Sequence, residues 1–426
     1  MRTPTRPRRR RSRTRSAVGA VALSVSMLLS GCSGHAPSDQ PAVDVLMRSY
    51  DPSSGVWPAT GWWNSANALR ALAEYMVVTG DQRYLWVLGN TYAKKRNALR
   101  GNFINELIDD TGWWALTWIR AYDITGNRQY LATAQRGVDF MWRYRDDVCG
   151  GGLWWTTDRT YKNAIANELF IQAAAQLHNR IEGDTRYLNQ ALQVWNWFER
   201  SGMINADNMV NDGLKNCRNN GGTTWTYNQG VILGALVTLN KATGDDQYLV
   251  RARELADAST SNEAIQSDGI LTEPCEATGC DIDGPSFKGI YVRNLGELNA
   301  ALTDRPYSDY LTKQATTAYD KNRRPDGTYG LHWAGPVQFP TVAAQQSAVD
   351  LIVAAQPPPQ LPPATTTTPP TSGPQVSGFP AGSDQAVPIA PTEPAQPAVP
   401  TVGTAPAARV EPTVPTGSAA PKAPDD

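Results

Sequence analysis

Residues 105–127 read NELIDDTGWWALTWIRAYDITGN. From Gly112 to Ile124 almost every position is apolar or aromatic: Trp113, Trp114, Ala115, Leu116, Trp118, Ile119, Ala121 and Tyr122 fall in one run. A helix that is apolar all round must be buried on all sides. Gly126 and Asn127 end it, as residues that tolerate left-handed geometry do. The following helix is different. Leu131, Ala134, Val138, Met141 and Trp142 share one face, and Arg128, Gln135, Arg136, Asp139 and Arg143 the other. That is one-sided burial. The stretch therefore reads as a helical hairpin with an inner and an outer arm, and the adjacent Asp109 and Asp110 stand immediately before the inner one.

The unit repeats. The turn between the arms is TGNRQYL at 125–131, and its counterparts are TGDQRYL (79–85), EGDTRYL (182–188) and TGDDQYL (243–249), with a looser DRPYSDYL at 304–311. A period of this size means stacked supersecondary units. The apolar runs predict inner helices at about 64–79, 111–125, 163–181, 226–242, 287–303 and 342–355. The amphipathic runs predict outer helices at about 41–50, 81–98, 128–145, 185–200, 246–260 and 307–322. Six of each predict an all-α (α/α)6 toroid. An open solenoid would need polar capping ends; here the first helix can pair with the last inner one and close the ring.

Both ends of the 426-residue chain fall outside this pattern. Residues 1–16 hold eight arginines and no acid, and about fourteen small or apolar residues follow, Ala17 to Ser30. That run is short of the roughly 20 residues a membrane span needs. It has the form of an export signal. Its end, Leu29-Ser30-Gly31-Cys32, resembles the bacterial lipobox, which implies cleavage before Cys32 and lipidation of its thiol. Residues 1–31 are thus expected to be a lipoprotein signal, 32–40 a lipidated tether and 41–356 the folded domain. Residues 357–426 carry 19 of the 31 prolines and almost no aromatic side chain. Such a segment buries too little apolar surface to offset its ordering entropy and is read as a disordered tail. The expected location is extracytoplasmic, lipid-anchored at the outer face of the bacterial cell membrane.

Removing the signal leaves 31 basic against 40 acidic residues. A balance of −9 with no basic cluster disfavours nucleic acid as a partner. Apart from Cys32 there are four cysteines, and an even count in an exported chain suggests two disulfides. Three pairings are possible; Cys275 with Cys280, closing a short loop, and Cys149 with Cys217 is the preferred one. Three scattered histidines and no CxxC argue against a zinc site. The DIDG at 281–284 lacks the acids and closing Glu of a calcium loop, so a turn is expected there and no metal.

The loops leading into the inner helices are loaded with Gly, Trp, Asn, Gln and Asp, while the opposite ends carry only the repeated turns. Sites form on such loops when a rigid scaffold holds them. Trp and Tyr rings offer flat faces to pyranose C–H groups, and amides, acids and lysines can hydrogen-bond hydroxyls. The candidates for sugar contact are Trp62, Trp63, Asn67, Trp154, Trp155, Lys162, Asn163, Tyr227, Asn228, Gln229, Asp283 and Lys288, with Tyr161, Asn167 and Glu168 entering the same face. Asp109 and Asp110 could be a helix cap or a catalytic pair. Retaining glycosidases hold two carboxyls about 5–5.5 Å apart, a separation that neighbours with alpha carbons about 3.8 Å apart can reach.

GWWNSANALRAL, DDTGWWALTWIRAYDITGN, GGGLWW with YKNAIANELF, TYNQGVILGAL, FKGIYVRNLGEL and QQSAVDLIVAA together resemble glycoside hydrolase family 76, the endo-α-1,6-mannanases, over about 41–356 in one register. The resemblance implies an (α/α)6 fold and retaining hydrolysis of α-1,6-mannosidic linkages without metal or cofactor. It also implies that Asp109 is the nucleophile and Asp110 the acid/base. The expected partner is an α-1,6-mannan polysaccharide or a mannose-containing glycolipid, and the expected state a monomer. The alternatives are an envelope-remodelling transglycosylase on α-mannan and a non-catalytic mannan-binding surface lipoprotein. A histidine-poor face makes an epimerase on the same toroid unattractive.

Overall fold

The computed structural model of the protein describes residues 40–356. The signal, Cys32 and the proline-rich tail lie outside the described residues. Within them the chain forms twelve α-helices: α1 Gln40–Arg48, α2 Trp62–Thr79, α3 Leu85–Lys95, α4 Ile108–Thr125, α5 Arg128–Trp142, α6 Ala164–His178, α7 Arg186–Arg200, α8 Thr226–Thr243, α9 Gln247–Ser259, α10 Phe287–Ala301, α11 Ser308–Lys321 and α12 Val342–Ala354. The even-numbered helices are the inner ones. Each packs on the next, and α12 packs back on α2, so the inner ring is closed. The odd-numbered helices lie outside it, with α1 against α12. This is the (α/α)6 toroid the sequence predicts. None of these helices is long and apolar enough to cross a membrane.

The contrast between the two sets follows from composition. In α6 every residue from Ala164 to Leu177 is buried, whereas α7 buries only one stripe, Tyr187, Ala191, Val194, Trp195, Trp197 and Phe198. The repeated turn also has a physical explanation. The hydroxyls of Thr79, Thr125 and Thr243 donate to carbonyls four residues back and accept the N–H of Asp81, Asn127 and Asp245. The intervening Gly80, Gly126 and Gly244 are left-handed, with φ near 70°, where a side chain would be strained. The Asp or Asn side chain then accepts the N–H two residues on, which turns the chain into the outer helix.

Two short antiparallel ribbons, β1 (Leu214–Lys215) with β2 (Arg218–Asn219) and β3 (Gln266–Ser267) with β4 (Ile270–Leu271), decorate the loops. They are too short to show an alternating pattern, and periodicity missed them. The long loops are held instead by side-chain amides. Asn167 accepts from Leu153 N–H and donates to its carbonyl. Gln229 does the same to Val210, and Asn322 to Gly330. Gln345 accepts from Tyr329 N–H and donates to the carbonyls of Ala42 and Gly327, so it also fastens α1 to α12. A doubly bonded amide substitutes for a strand ladder where the backbone is irregular.

The preferred disulfides are present: Cys149 bonds Cys217 and Cys275 bonds Cys280. They span 68 and 5 residues. Loop-closure entropy assigns about 4 kcal/mol to the first and about 2 kcal/mol to the second. Urea unfolding of the two Cys→Ser pairs is expected to show that order. A larger loss on removing the short loop would refute the entropic account.

Candidate active site

Asp109 and Asp110 lie inside the first turn of α4, not just before it. The helix starts earlier than its apolar run because Ile108 N–H bonds the Trp155 carbonyl and Leu107 bridges Thr156, which fixes the entry. Leu107 is the N-cap residue and makes no side-chain cap bond. Neither aspartate caps the helix by reaching N–H groups two or three residues on, so the plain-cap reading fails.

The two carboxyls occupy different surroundings. Asp109 is half-buried. Its Oδ2 accepts from the Trp155 indole at 2.9 Å and its Oδ1 from the Asp110 N–H at 3.0 Å. Asp110 is 4% exposed. Its Oδ2 accepts from the Asn105 amide at 2.6 Å, and Oδ1 has no protein partner among the described residues. Asn105 cannot turn away, because its own Oδ1 is taken by Leu107 N–H. Burial pushes Asp109 up to about 6 against the pull of its two donors, and Asp283 adds to the rise. Burial, then the charge of Asp109, pushes Asp110 well above the carboxylate range. One acid is thus readier to ionise and its neighbour readier to keep its proton.

Aromatic rings and a third carboxylate surround the pair. Trp63 stacks on Trp113 and on Phe287, with centroids 5.6 and 6.0 Å apart. Tyr227 packs on Phe287 and edges Trp113. The Trp63 indole donates to Asp283 Oδ1 at 3.0 Å. Burial and Asp281 push Asp283 up to about 6. Trp63, Trp155, Tyr227 and Asp283 are therefore brought together with the two aspartates. Burial, with Asp212 and Asp109 next, keeps the Tyr227 phenol protonated well beyond its usual range.

Other expected contacts have structural tasks within the fold. The Lys162 ammonium, with three protons, is already shared among Asp146 and the carbonyls of Val148, Gly151 and Gly152. Trp154 donates to Asp146 and lies under Lys162, 4.7 Å from Nζ to the ring centroid. Lys288 is buried against Glu276, the Leu331 carbonyl and the Trp333 ring. Asn163 caps α6, and Gln229 is the clamp on Val210. Trp62 is partly buried and packs against the core on Phe103 and Trp114. Asn67 accepts from Arg293 at 2.6 Å within a buried polar network on the ring axis, where Arg293 also pairs with Asp350 and Gln172 donates to Asn294. Asn228 and Glu168 are wholly enclosed with no polar partner among the described residues. The DIDG segment is a turn: Asp281 accepts from the N–H of Asp283 and Gly284.

Four contributors escaped sequence reasoning: Asn105, Trp113, Phe287 and Asp212. Asn105 opens the quoted stretch, and its place five residues ahead of Asp110 was the available signal. Asp212, half-buried and bonded by the Tyr161 hydroxyl at 2.6 Å, sits in a loop with no motif to single it out.

The sequence model of glycosyl hydrolase family 76 matches residues 40–366. The chain belongs to that family. The protein is accordingly a glycosidase. Within the family it is similar to the mannan endo-1,6-alpha-mannosidase DFG5 of Saccharomyces cerevisiae, 28% identical over 68% of this chain and 70% of that protein. It is likewise similar to DFG5 of Candida albicans, 29% identical over 56% of this chain and 58% of that protein. The chain thus spans between about three-fifths and seven-tenths of these relatives. Among solved structures, the GH76A alpha-1,6-mannanase of Salegentibacter sp. HEL1_6 superposes with a TM-score of 0.66 at 25% identity, over 74% of this chain and 97% of that one.

Proposed function

We propose that the protein is an endo-acting α-1,6-mannanase that hydrolyses mannan-type polysaccharide or glycolipid with retention of anomeric configuration. The observation that carries this reading is the unequal pair on α4. Asp109, held by two donors, is the anion suited to attack the anomeric carbon. Asp110, more deeply buried and with Oδ1 unengaged, is the acid suited to protonate the departing oxygen. Attack forms the mannosyl–Asp109 bond as the glycosidic C–O bond breaks, and the leaving oxygen takes the Asp110 proton. Asp110, now ionised, accepts a proton from water as that water displaces Asp109. Trp63, Trp113, Phe287 and Tyr227 supply apolar faces for sugar rings, and Asp283 an acceptor for hydroxyls. The family and the mannan-directed relatives support α-mannan as substrate. A lipid anchor on Cys32 at the outer face of the cell membrane is part of the same proposal and rests on the lipobox.

Incubation with a defined α-1,6-mannan tests it, with products followed by chromatography and NMR. Internal cleavage to shorter chains with the α-anomer appearing first is expected. An initial β-anomer would overturn retention. Longer products would indicate transfer to sugar rather than to water, and binding without any new reducing ends would reduce the protein to a mannan-binding module.

The pH profile follows from the same pair. The value of kcat/KM should rise as Asp109 ionises, with Asp283 titrating in the same range near pH 6. It should fall at higher pH as Asp110 loses its proton, because burial and Asp109 hold that acid well above its usual value. Activity that is greatest below pH 4 would contradict the assignment.

A further inference from the structure

A polar cavity lies beside the loop that carries Trp155. It has a volume of about 180 Å³ and is lined by Arg145, Gly150, Gly151, Gly152, Gln193, Val194, Trp197 and Arg200. That is well above the roughly 10–15 Å³ that admits a single water. The backbone here is unusual: Cys149, Gly150, Gly151 and Gly152 all have positive φ, at 57°, 77°, 147° and 78°. A Cβ on Gly152 would sit 2.2 Å from the Trp197 ring, so only glycine lets the loop lie on that indole.

The loop's peptide groups are sorted by Lys162. Its ammonium, beneath the loop, draws in the Gly151 carbonyl at 2.6 Å and the Gly152 carbonyl at 3.1 Å. In a trans peptide the N–H points opposite to the carbonyl. The Gly152 N–H is therefore directed away from Lys162, and Gly152 lines the cavity. Gly152 is buried, and its N–H has no hydrogen-bond partner among the described residues. A buried N–H left unpaired is rare and asks for an acceptor.

Cations flank this donor. Arg145 is held beside the cavity by Asp147 at 2.9 Å. Arg200 has no carboxylate partner among the described residues. The Cys149–Cys217 disulfide draws the β1–β2 ribbon to the loop, and with it Lys215 and Arg218, also without carboxylate partners among the described residues. An unpaired buried N–H beside guanidinium groups offers a tetrahedral oxyanion a backbone donor and charge-assisted side-chain donors.

We infer that the Gly150–Gly152 cavity, with the Gly152 N–H, Arg145 and Arg200, binds a phosphate-class oxyanion, either free or esterified on a glycan. It lies outside the proposed catalytic machinery and does not depend on which linkage the enzyme cleaves.

Calorimetric titration of the protein with inorganic phosphate and with dimethyl phosphate, at ionic strength matched with chloride, tests the inference. Saturable binding is expected, weakened at least about ten-fold in an Arg145→Gln/Arg200→Gln variant. Arg200 is exposed at the end of α7 and Arg145 partly exposed beyond the end of α5, and thermal melting verifies that the variant folds. Cleavage of neutral mannan by the variant should match that of the native protein. Binding of both probes identifies an esterified phosphate as the ligand class; binding of inorganic phosphate alone identifies the free ion. Absence of saturable binding by either probe, or equal affinity in the variant, overturns the site.

Discussion

Asp109→Asn is expected to lower kcat by about 10⁴-fold or more, the scale seen when a covalent nucleophile is removed. Asp110→Asn is expected to lose about 10²–10⁴-fold on mannan, the scale of general acid catalysis. The two should diverge on an activated aryl mannoside. A leaving group that needs no proton restores the first step in Asp110→Asn and restores nothing in Asp109→Asn. Stability should move the other way. Asp110 is protonated in the fold to a higher pH than in the unfolded chain. Above its ordinary value near 3.8 the native state must take up a proton that the unfolded state has lost, so wild-type stability falls as pH rises through that window. Asn carries no such penalty. Asp110→Asn should therefore unfold at higher urea than the wild type at pH 7 and at nearly the same urea at pH 3. Native-like turnover in either variant on mannan would sink the catalytic assignment. A destabilised Asp110→Asn would show that the carboxyl holds the fold.

Lys162→Met is expected to cost about 1–3 kcal/mol, the range for leaving buried acceptors unsatisfied. It would leave three carbonyls without the ammonium they now share, while Asp146 keeps the Trp154 indole and Arg159. The loop so released is the one that aims the Trp155 indole at Asp109. Displacing that donor by about 1 Å should lower kcat by about 10²-fold. The measurement separates two roles. A sugar contact would raise KM and leave the urea midpoint in place; a loop anchor lowers the midpoint and kcat with little change in KM.

The fold was legible because its signals are periodic. All-round apolar runs marked the six inner helices, striped runs the six outer ones, and the Thr-Gly-Asp turns the joints between them. The start of α4 was misread by three residues, since Leu107 and Ile108 are drawn into the helix by a distant segment at 155–156. The site was legible only in part. Residue type placed Trp63, Trp155, Tyr227 and Asp283 on the right face. It could not say which polar side chains point at a sugar and which fasten a loop. Lys162, Lys288, Asn163 and Gln229 have the chemistry of sugar ligands, yet their hydrogen bonds are spent on backbone and, for the two lysines, on Asp146 and Glu276. That depends on where loops of 20 or so residues double back, which no local pattern encodes. Asn105 and Asp212 act through such contacts too and were missed for the same reason.

The closure of the ring by α1 on α12 sets an order of events. Gln345 reaches the Ala42 carbonyl across 303 positions of sequence, and Arg48 the Asp326 carbonyl across 278. At about 5–20 residues per second, translation separates those partners by roughly 15–60 s. Through that interval the growing chain is an open crescent whose first and latest inner helices each show one apolar flank. The flank of α2 cannot be covered by its native neighbour until α12 has emerged. The growing chain therefore keeps the open flank of α2 exposed until α12 has been made, and a chaperone that shields apolar helix faces would matter over that interval.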